Sequence, residues 1–113
     1  MLVSIGESNF TEEVIQAPCP VLVSFWAPWC SLCRVVEPML QQVQSTSAPM
    51  LKLVRINADE NFNLTRHYNL KSIPSLLLFH DGKLLSQLSL QGDRLNMQDA
   101  LQDLVTQLPV SLR

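Results

Sequence analysis

Two cysteines three residues apart, Cys30 and Cys33, are the side chains of this chain best suited to chemistry. They lie in the segment WAPWCSLCRVVEP, at positions 26–38, just where an amphipathic stretch predicts a helix from about Ser31 to Ser45. Positions three apart share a helix face, so the two sulfurs can reach bonding distance without distorting the backbone. Cys30 stands at the predicted helix N-terminus, where free N–H groups and the helix dipole favour a thiolate. The spacing therefore suits an attacking Cys30 and a resolving Cys33.

Two other interpretations of the pair follow from the residues alone. A structural metal site needs about four ligands, and this pair supplies only two. Two inert core thiols are the other possibility, since free cysteine is often buried. Trp29 argues against inert thiols, because it places a large flat side chain at an element boundary, where contacts with partners occur. The remaining soft candidate ligands form no second closely spaced pair and are expected to be a bystander thiol and two surface histidines: Cys19, His67 and His80.

The composition excludes several classes of function. The chain has 113 residues, 47% of them hydrophobic and 16% charged, with a net charge of −2, which predicts one soluble domain over residues 1–113. Lysine and arginine occur singly, so we expect no nucleic-acid partner. The longest apolar run, Leu76 to Phe79, is far too short to cross a bilayer, so no membrane association is expected. Three cysteines are too few for a disulfide framework, which favours the cytoplasm.

Helical and β-rich segments alternate along the chain. Strands separated by helices predict parallel pairing, and the Asp81-Gly82 dipeptide predicts a hairpin that adds an antiparallel edge strand. The fold class is therefore α/β, with a mixed central β-sheet flanked by helices on both faces. The predicted segments are helix 9–15, strand 20–27, helix 31–45, strand 50–57, helix 60–68, hairpin 74–90 and helix 94–108.

Apolar spacing also predicts the buried faces of the two long helices. Residues three and four apart lie on one side of a helix, and each helix offers such a set. The earlier helix also contains Pro38, which removes a backbone donor. The predicted core positions are Val35, Val36, Met39, Leu40 and Val43 in the first helix, and Leu95, Leu101, Leu104, Val105 and Leu108 in the last.

Over roughly residues 5 to 108 the sequence resembles the thioredoxin family. The segments SNFTEEV, PVLVSFWAPWC and SIPSLLLFHDGK, the helix proline Pro38 and the late glycine Gly92 occur in the order that this family shows. The resemblance implies the thioredoxin fold and a thiol–disulfide oxidoreductase that acts on protein disulfides. It also implies that Cys30 and Cys33 are the catalytic pair and form a redox-active disulfide.

The resemblance extends to the residues around that disulfide. It implies that Trp29 belongs to the active-site edge and that Pro74 is a cis-proline facing the disulfide. It further implies that the backbone of Ile73 pairs with the substrate chain, and that Gly92 lines the same shallow groove. Trp26 is expected either to pack in the core or to support this edge.

The sequence departs from the family pattern at two places near the cysteines. Thioredoxins usually have Gly-Pro between them, where this chain has Ser31-Leu32, and Leu32 restores an N–H that proline lacks. Thioredoxins commonly carry a buried aspartate where this chain has Ser24, and serine is no base at neutral pH. Arg55 replaces a frequent lysine nearby and is expected to extend outward or to pair elsewhere, with Asp59 close in sequence. We therefore predict slow resolution of mixed disulfides and a less reducing potential.

The expected partners follow from the same resemblance. Substrates would be disulfide-containing proteins, and electrons would come from a separate reductase, since no cofactor or metal is expected in this chain. We expect a monomer. The alternative is a thioredoxin-like module that binds partners or senses redox state without turnover.

Overall fold

A five-stranded sheet forms the centre of the computed structural model, which describes residues 2–113. The strands lie in the order β1-β3-β2-β4-β5. Their bounds are Val3–Ile5 (β1), Val21–Trp26 (β2), Lys52–Asn57 (β3), Ser75–His80 (β4) and Lys83–Ser89 (β5). Three α-helices accompany them, Ser31–Ser47 (α1), Phe62–His67 (α2) and Arg94–Thr106 (α3), with a π-helical turn at Thr11–Ile15 and a 3₁₀ turn at Val110–Leu112.

The strand pairing confirms part of the predicted topology and corrects another part. β3 pairs in parallel with β2 and also with β1, an edge strand that the sequence reasoning missed. β4 and β5 form the predicted antiparallel hairpin, and the turn residues Asp81 and Gly82 both have positive φ, 53° and 77°, as a type I′ turn requires. β4, however, is antiparallel to β2, whereas a helix before it predicted parallel pairing.

The shortness of α2 explains the direction of β4. Its six residues span only about 9 Å, less than half the length of a six-residue strand. The chain therefore does not travel back along the sheet after β3. It re-enters at the end where β2 and β3 finish, with Ser75 opposite Phe25 and next to the active-site segment.

Helices cover both faces of the sheet, as predicted. On one face α1 and α3 pack against alternate strand residues such as Leu22, Leu53 and Leu76. On the other face the π-helical turn and the segment around α2 pack against Val23 and Phe25. Because strand side chains alternate between faces, Ser24 lies on the same face of β2 as Leu22, which packs on the α1 side.

Two predicted core residues are exposed. Val35 is 41% exposed and Leu95 is 72% exposed. Val36 is buried together with Met39 and Leu40, whereas Val35 lies about 100° further round the helix and away from this series. In α3 the buried series runs through Met97, Leu101 and Leu104, which places Leu95 on the opposite side of the helix.

Among residues 2–113, none of the helices combines the length and the apolar character that a bilayer span requires.

Candidate active site

Cys30 and Cys33 form a disulfide at the point where β2 gives way to α1. Cys30 is the N-cap residue of α1, in an extended conformation with φ −91° and ψ 99°. The Cα atoms of the two cysteines lie 5.4 Å apart, within the usual range for a disulfide. The helical spacing predicted from the sequence thus brings the two sulfurs together.

The sulfur of Cys30 occupies the position that a capping oxygen takes in most helices. The backbone N–H of Cys33 donates a hydrogen bond to Cys30 Sγ at 3.2 Å. A first-turn N–H and the helix dipole both favour negative charge at this atom. When the disulfide is reduced, the structure therefore favours a thiolate at Cys30, which is the chemistry of an attacking cysteine.

Trp29 forms an exposed wall beside the disulfide. Its side chain is 70% exposed, and its indole Nε1 donates a hydrogen bond to Asp59 Oδ2 at 3.0 Å. Asp59, the acid close to Arg55 in sequence, therefore orients Trp29.

The peptide bond between Ile73 and Pro74 is cis, as the resemblance implies. The side chain of Ile73 packs against the small cluster that contains Ala27 and both cysteines. The loop after β5 is tied to the same segment, since the N–H of Leu90 donates to the carbonyl of Pro74 at 3.0 Å. Gly92 follows two residues later with φ +95°, directly before α3. Its contact with a substrate stays a prediction.

A shallow apolar cavity of about 260 Å³ borders Trp29 and Ile73. Phe62, at the start of α2, also lines it and is 63% exposed. The sequence reasoning missed Phe62, although an aromatic residue at the start of a short, mostly polar helix was a usable signal. This cavity extends the exposed surface beside the disulfide toward α2.

Ser24, 2% exposed in the middle of β2, lies directly opposite Arg55 of β3. The Arg55 guanidinium lies 3.8 Å from the ring centroid of Trp26, which is a cation–π distance. It also makes an ion pair with Glu37 of α1 at 3.1 Å. The expectation that Arg55 pairs elsewhere holds, but the sequence reasoning did not identify Glu37. The sequence offered one indication of Glu37, which is its position four residues after Cys33, one turn further along the same helix face.

Trp26 was expected either to pack in the core or to support the active-site edge, and its contacts are of both kinds. It is partly buried and packs against the cluster of Ala27, Cys30 and Cys33. It also forms the platform under Arg55. Its contribution to activity stays a prediction.

The other residues that could bind a metal ion lie in different segments of the structure. Cys19 is unpaired and half-buried, in the loop that enters β2 from the far end. His67 packs edge-on against Tyr68, and His80 lies 3.7 Å from Asp81 at the hairpin. Within residues 2–113, no three His, Cys, Asp or Glu side chains come together as a metal-binding group.

Comparisons with known proteins agree with this geometry. The Thioredoxin family model matches residues 1–107. The chain is 39% identical to thioredoxin 1 of Synechococcus elongatus over 80 residues, which are 71% of this chain and 75% of that one. It is 36% identical to a thioredoxin of Rickettsia bellii over 83 residues, covering 74% of this chain and 79% of the other.

Solved structures give the same result for the fold. A mutant thioredoxin from Halobacterium salinarum superposes with a TM-score of 0.77 at 26% identity, covering 94% of this chain and 88% of that structure. The family model spans nearly the whole chain and includes both cysteines. The chain therefore belongs to the thioredoxin family.

Proposed function

We propose that this protein is a thiol–disulfide oxidoreductase that reduces or exchanges protein disulfides more slowly, and at a less reducing potential, than a typical thioredoxin. Family membership and the Cys30–Cys33 disulfide support the oxidoreductase activity. The observation that carries the proposal is the position of Cys30, whose sulfur accepts the Cys33 N–H at the start of α1.

The reaction begins with the reduced dithiol. The Cys30 thiolate attacks one sulfur of a substrate disulfide, which forms a mixed disulfide and releases the other substrate sulfur as a thiolate. The Cys33 thiolate then attacks Cys30 Sγ, which forms the Cys30–Cys33 disulfide and releases the second substrate thiolate. The substrate gains two electrons, and a separate reductase must return two electrons to the protein.

The surface beside the disulfide suits an extended substrate chain. Trp29 supplies an exposed aromatic face, and Ile73 packs against the cysteine cluster. In the proposed complex the backbone of Ile73 pairs with the substrate, Pro74 faces the disulfide, and Gly92 lines the groove. We also propose that the protein works as a cytoplasmic monomer on disulfide-containing protein substrates.

Two residues underlie the proposed difference from a typical thioredoxin. Leu32 has a backbone N–H where the family usually has proline, so the first turn of α1 offers an additional donor near the sulfurs. Ser24 supplies no carboxylate to help deprotonate Cys33. Each 30 mV in a two-electron couple corresponds to about 1.4 kcal/mol, so a single changed hydrogen bond shifts the potential measurably.

Equilibration of the protein with glutathione redox buffers tests the potential. We expect a value less negative than about −270 mV, the figure for thioredoxin itself. The Leu32→Pro variant is the matched control and should be more reducing than the wild-type chain. A wild-type value at or below about −270 mV contradicts the proposal.

A second candidate function, a binding or redox-sensing module without turnover, is favoured by one observation. Two exposed aromatic side chains, Trp29 and Phe62, border the cavity next to the disulfide, and exposed aromatics are typical of partner surfaces. The variant carrying both Cys30→Ser and Cys33→Ser separates the two functions. Loss of cellular function in that variant supports the oxidoreductase, whereas retained function supports the binding module.

A further inference from the structure

A second cavity, of about 230 Å³, lies on the α1 side of the disulfide and differs in character from the apolar one. Both cysteines line it. Its other charged residues are Arg34 and Glu37 of α1 and Arg55 of β3. These five residues are all the titratable or charged groups that line the cavity.

Glu37 is the one carboxylate at this cavity. It lies four residues after Cys33 on α1, which places the two side chains on neighbouring positions of one helix face, with Cβ atoms about 5–6 Å apart. Its ion pair with Arg55 is 3.1 Å long, and both side chains are largely shielded, at 21% and 25% exposure. Arg55 thus holds the Glu37 carboxylate beside Cys33.

The size and lining of this cavity suit a water between Cys33 and Glu37. Its volume of about 230 Å³ has room for water. The Glu37 carboxylate and the Arg55 guanidinium line it together with both cysteines, so a water there would have polar partners. A hydrated path between Cys33 and Glu37 therefore fits the size and polarity of the cavity.

The other polar groups nearby are already engaged. Arg34 donates to the carbonyl of Pro28 at 3.3 Å, and Asp59 accepts from Trp29 on the other side of the active site. Ser24, opposite Arg55 in the sheet, has no carboxylate. Glu37 therefore remains as the acid–base group that serves Cys33.

We propose that Glu37 is the proton acceptor for Cys33, through a water in this cavity, and thus replaces the acid that is absent at position 24. The proposal rests on the oxidoreductase function proposed above. In the resolving step the Cys33 thiol gives its proton through the water to the Glu37 carboxylate. The resulting thiolate attacks Cys30 Sγ, the bond between Cys30 and the substrate sulfur breaks, and the substrate leaves as a thiolate. Arg55 positions the carboxylate for this transfer.

The Glu37→Gln variant tests the proposal in the full-length protein. The measurement is the rate at which the mixed disulfide between Cys30 and a peptide resolves, followed by stopped flow from pH 5 to 9. We expect the rate at neutral pH to fall by about tenfold or more, within the range for general base catalysis. The pH dependence should change as well. The rate of the Glu37→Gln variant should rise about tenfold per pH unit over a wider part of this range than the wild-type rate, because Cys33 then loses its proton to solvent.

Three further variants separate proton transfer from a structural role. Glu60→Gln changes an exposed carboxylate away from the cavity and should leave the rate unchanged. Ser24→Asp, added to Glu37→Gln, places a carboxylate opposite Arg55 and should restore much of the rate. Glu37→Asp keeps the acid and should lose less activity than Glu37→Gln.

The possible outcomes are distinct. A folded Glu37→Gln protein that resolves as fast as Glu60→Gln overturns the proposal. A slower variant with lowered thermal stability, an unchanged pH profile and no rescue by Ser24→Asp also overturns it, because Glu37 then acts only through its ion pair. A wild-type protein that forms no mixed disulfide at all instead removes the proposed function itself.

Discussion

At the scale of single residues, Cys30 differs from Cys33 in one physical respect. Its sulfur accepts the backbone N–H of Cys33 in the first turn of α1, although both side chains are buried, at 6% and 3% exposure. A thiolate at Cys30 is therefore stabilised by this hydrogen bond, whereas Cys33 needs a proton acceptor to become a thiolate. In the proposed mechanism, the identity of position 24 therefore affects the resolving step more than the attacking step.

Replacing Ser24 by aspartate should speed turnover. The new carboxylate would lie opposite Arg55 in the sheet, close enough to the α1 side to help deprotonate Cys33. An insulin-reduction assay measures the effect, for which we expect an increase of several-fold. Ser24→Asn is the control of nearly equal size, and it should give no increase because its amide is no base. An unchanged rate in Ser24→Asp would count against the role assigned to this position.

The sequence predicted the residues of the disulfide but not the surroundings of Arg55. Cys30, Cys33 and the cis bond before Pro74 follow from local patterns and from the family resemblance. The pairing of Arg55 with Glu37 depends on the relative placement of α1 and β3, which no local pattern contains. Asp59 is the acid nearest to Arg55 in sequence, but it accepts a hydrogen bond from Trp29 instead.

At the scale of elements, the spacing of apolar residues predicted the helix α3 correctly. At the N-terminal end of the helix, however, it assigned the wrong residue to the buried face. Leu95 is apolar and near the start of the helix, yet it is 72% exposed. Met97 takes its place in the core with α1 and β4. The pattern of apolar residues allowed either choice, and the docking of α3 against α1 decided it.

Truncation of these two side chains tests that assignment. Met97→Ala should lower the free energy of unfolding by about 2–5 kcal/mol, since it leaves a cavity in the core. Leu95→Ala is the matched control in the same helix turn and should change it by no more than about 0.5 kcal/mol. Chemical denaturation of both variants measures the difference. Equal losses would show that the N-terminal turn of α3 packs differently.

The direction of β4 and the presence of β1 show a related limit of prediction from local sequence patterns. The rule that strands joined through a helix run in parallel assumes a helix long enough to return along the sheet. The six residues of α2 are too few, and β1 has only three residues, too few for a clear alternating pattern. The direction of β4 and the pairing of β1 therefore depend on the assembly of the whole sheet.

At the scale of the whole molecule, both faces of the sheet are covered, and the redox pair lies at one end of it. The turn into α1, the cis-proline loop and the start of α2 meet at this end. One side of the disulfide presents the exposed apolar surface of Trp29 and Phe62. The other side contains the charged cavity of Glu37 and Arg55. The two proposals thus place substrate contact and proton transfer on opposite sides of one disulfide.

The most direct test of this account is to trap the mixed disulfide with a synthetic disulfide peptide, in a Cys19→Ser background. Intact mass and peptide mapping should find one peptide half attached to Cys30 in the Cys33→Ser variant. The protein with both active-site cysteines should release the peptide and form the Cys30–Cys33 disulfide, and Cys30→Ser should form no adduct. Absence of the adduct in Cys33→Ser, or an equal adduct on Cys33 in Cys30→Ser, would contradict the assignment of Cys30 as the attacking cysteine.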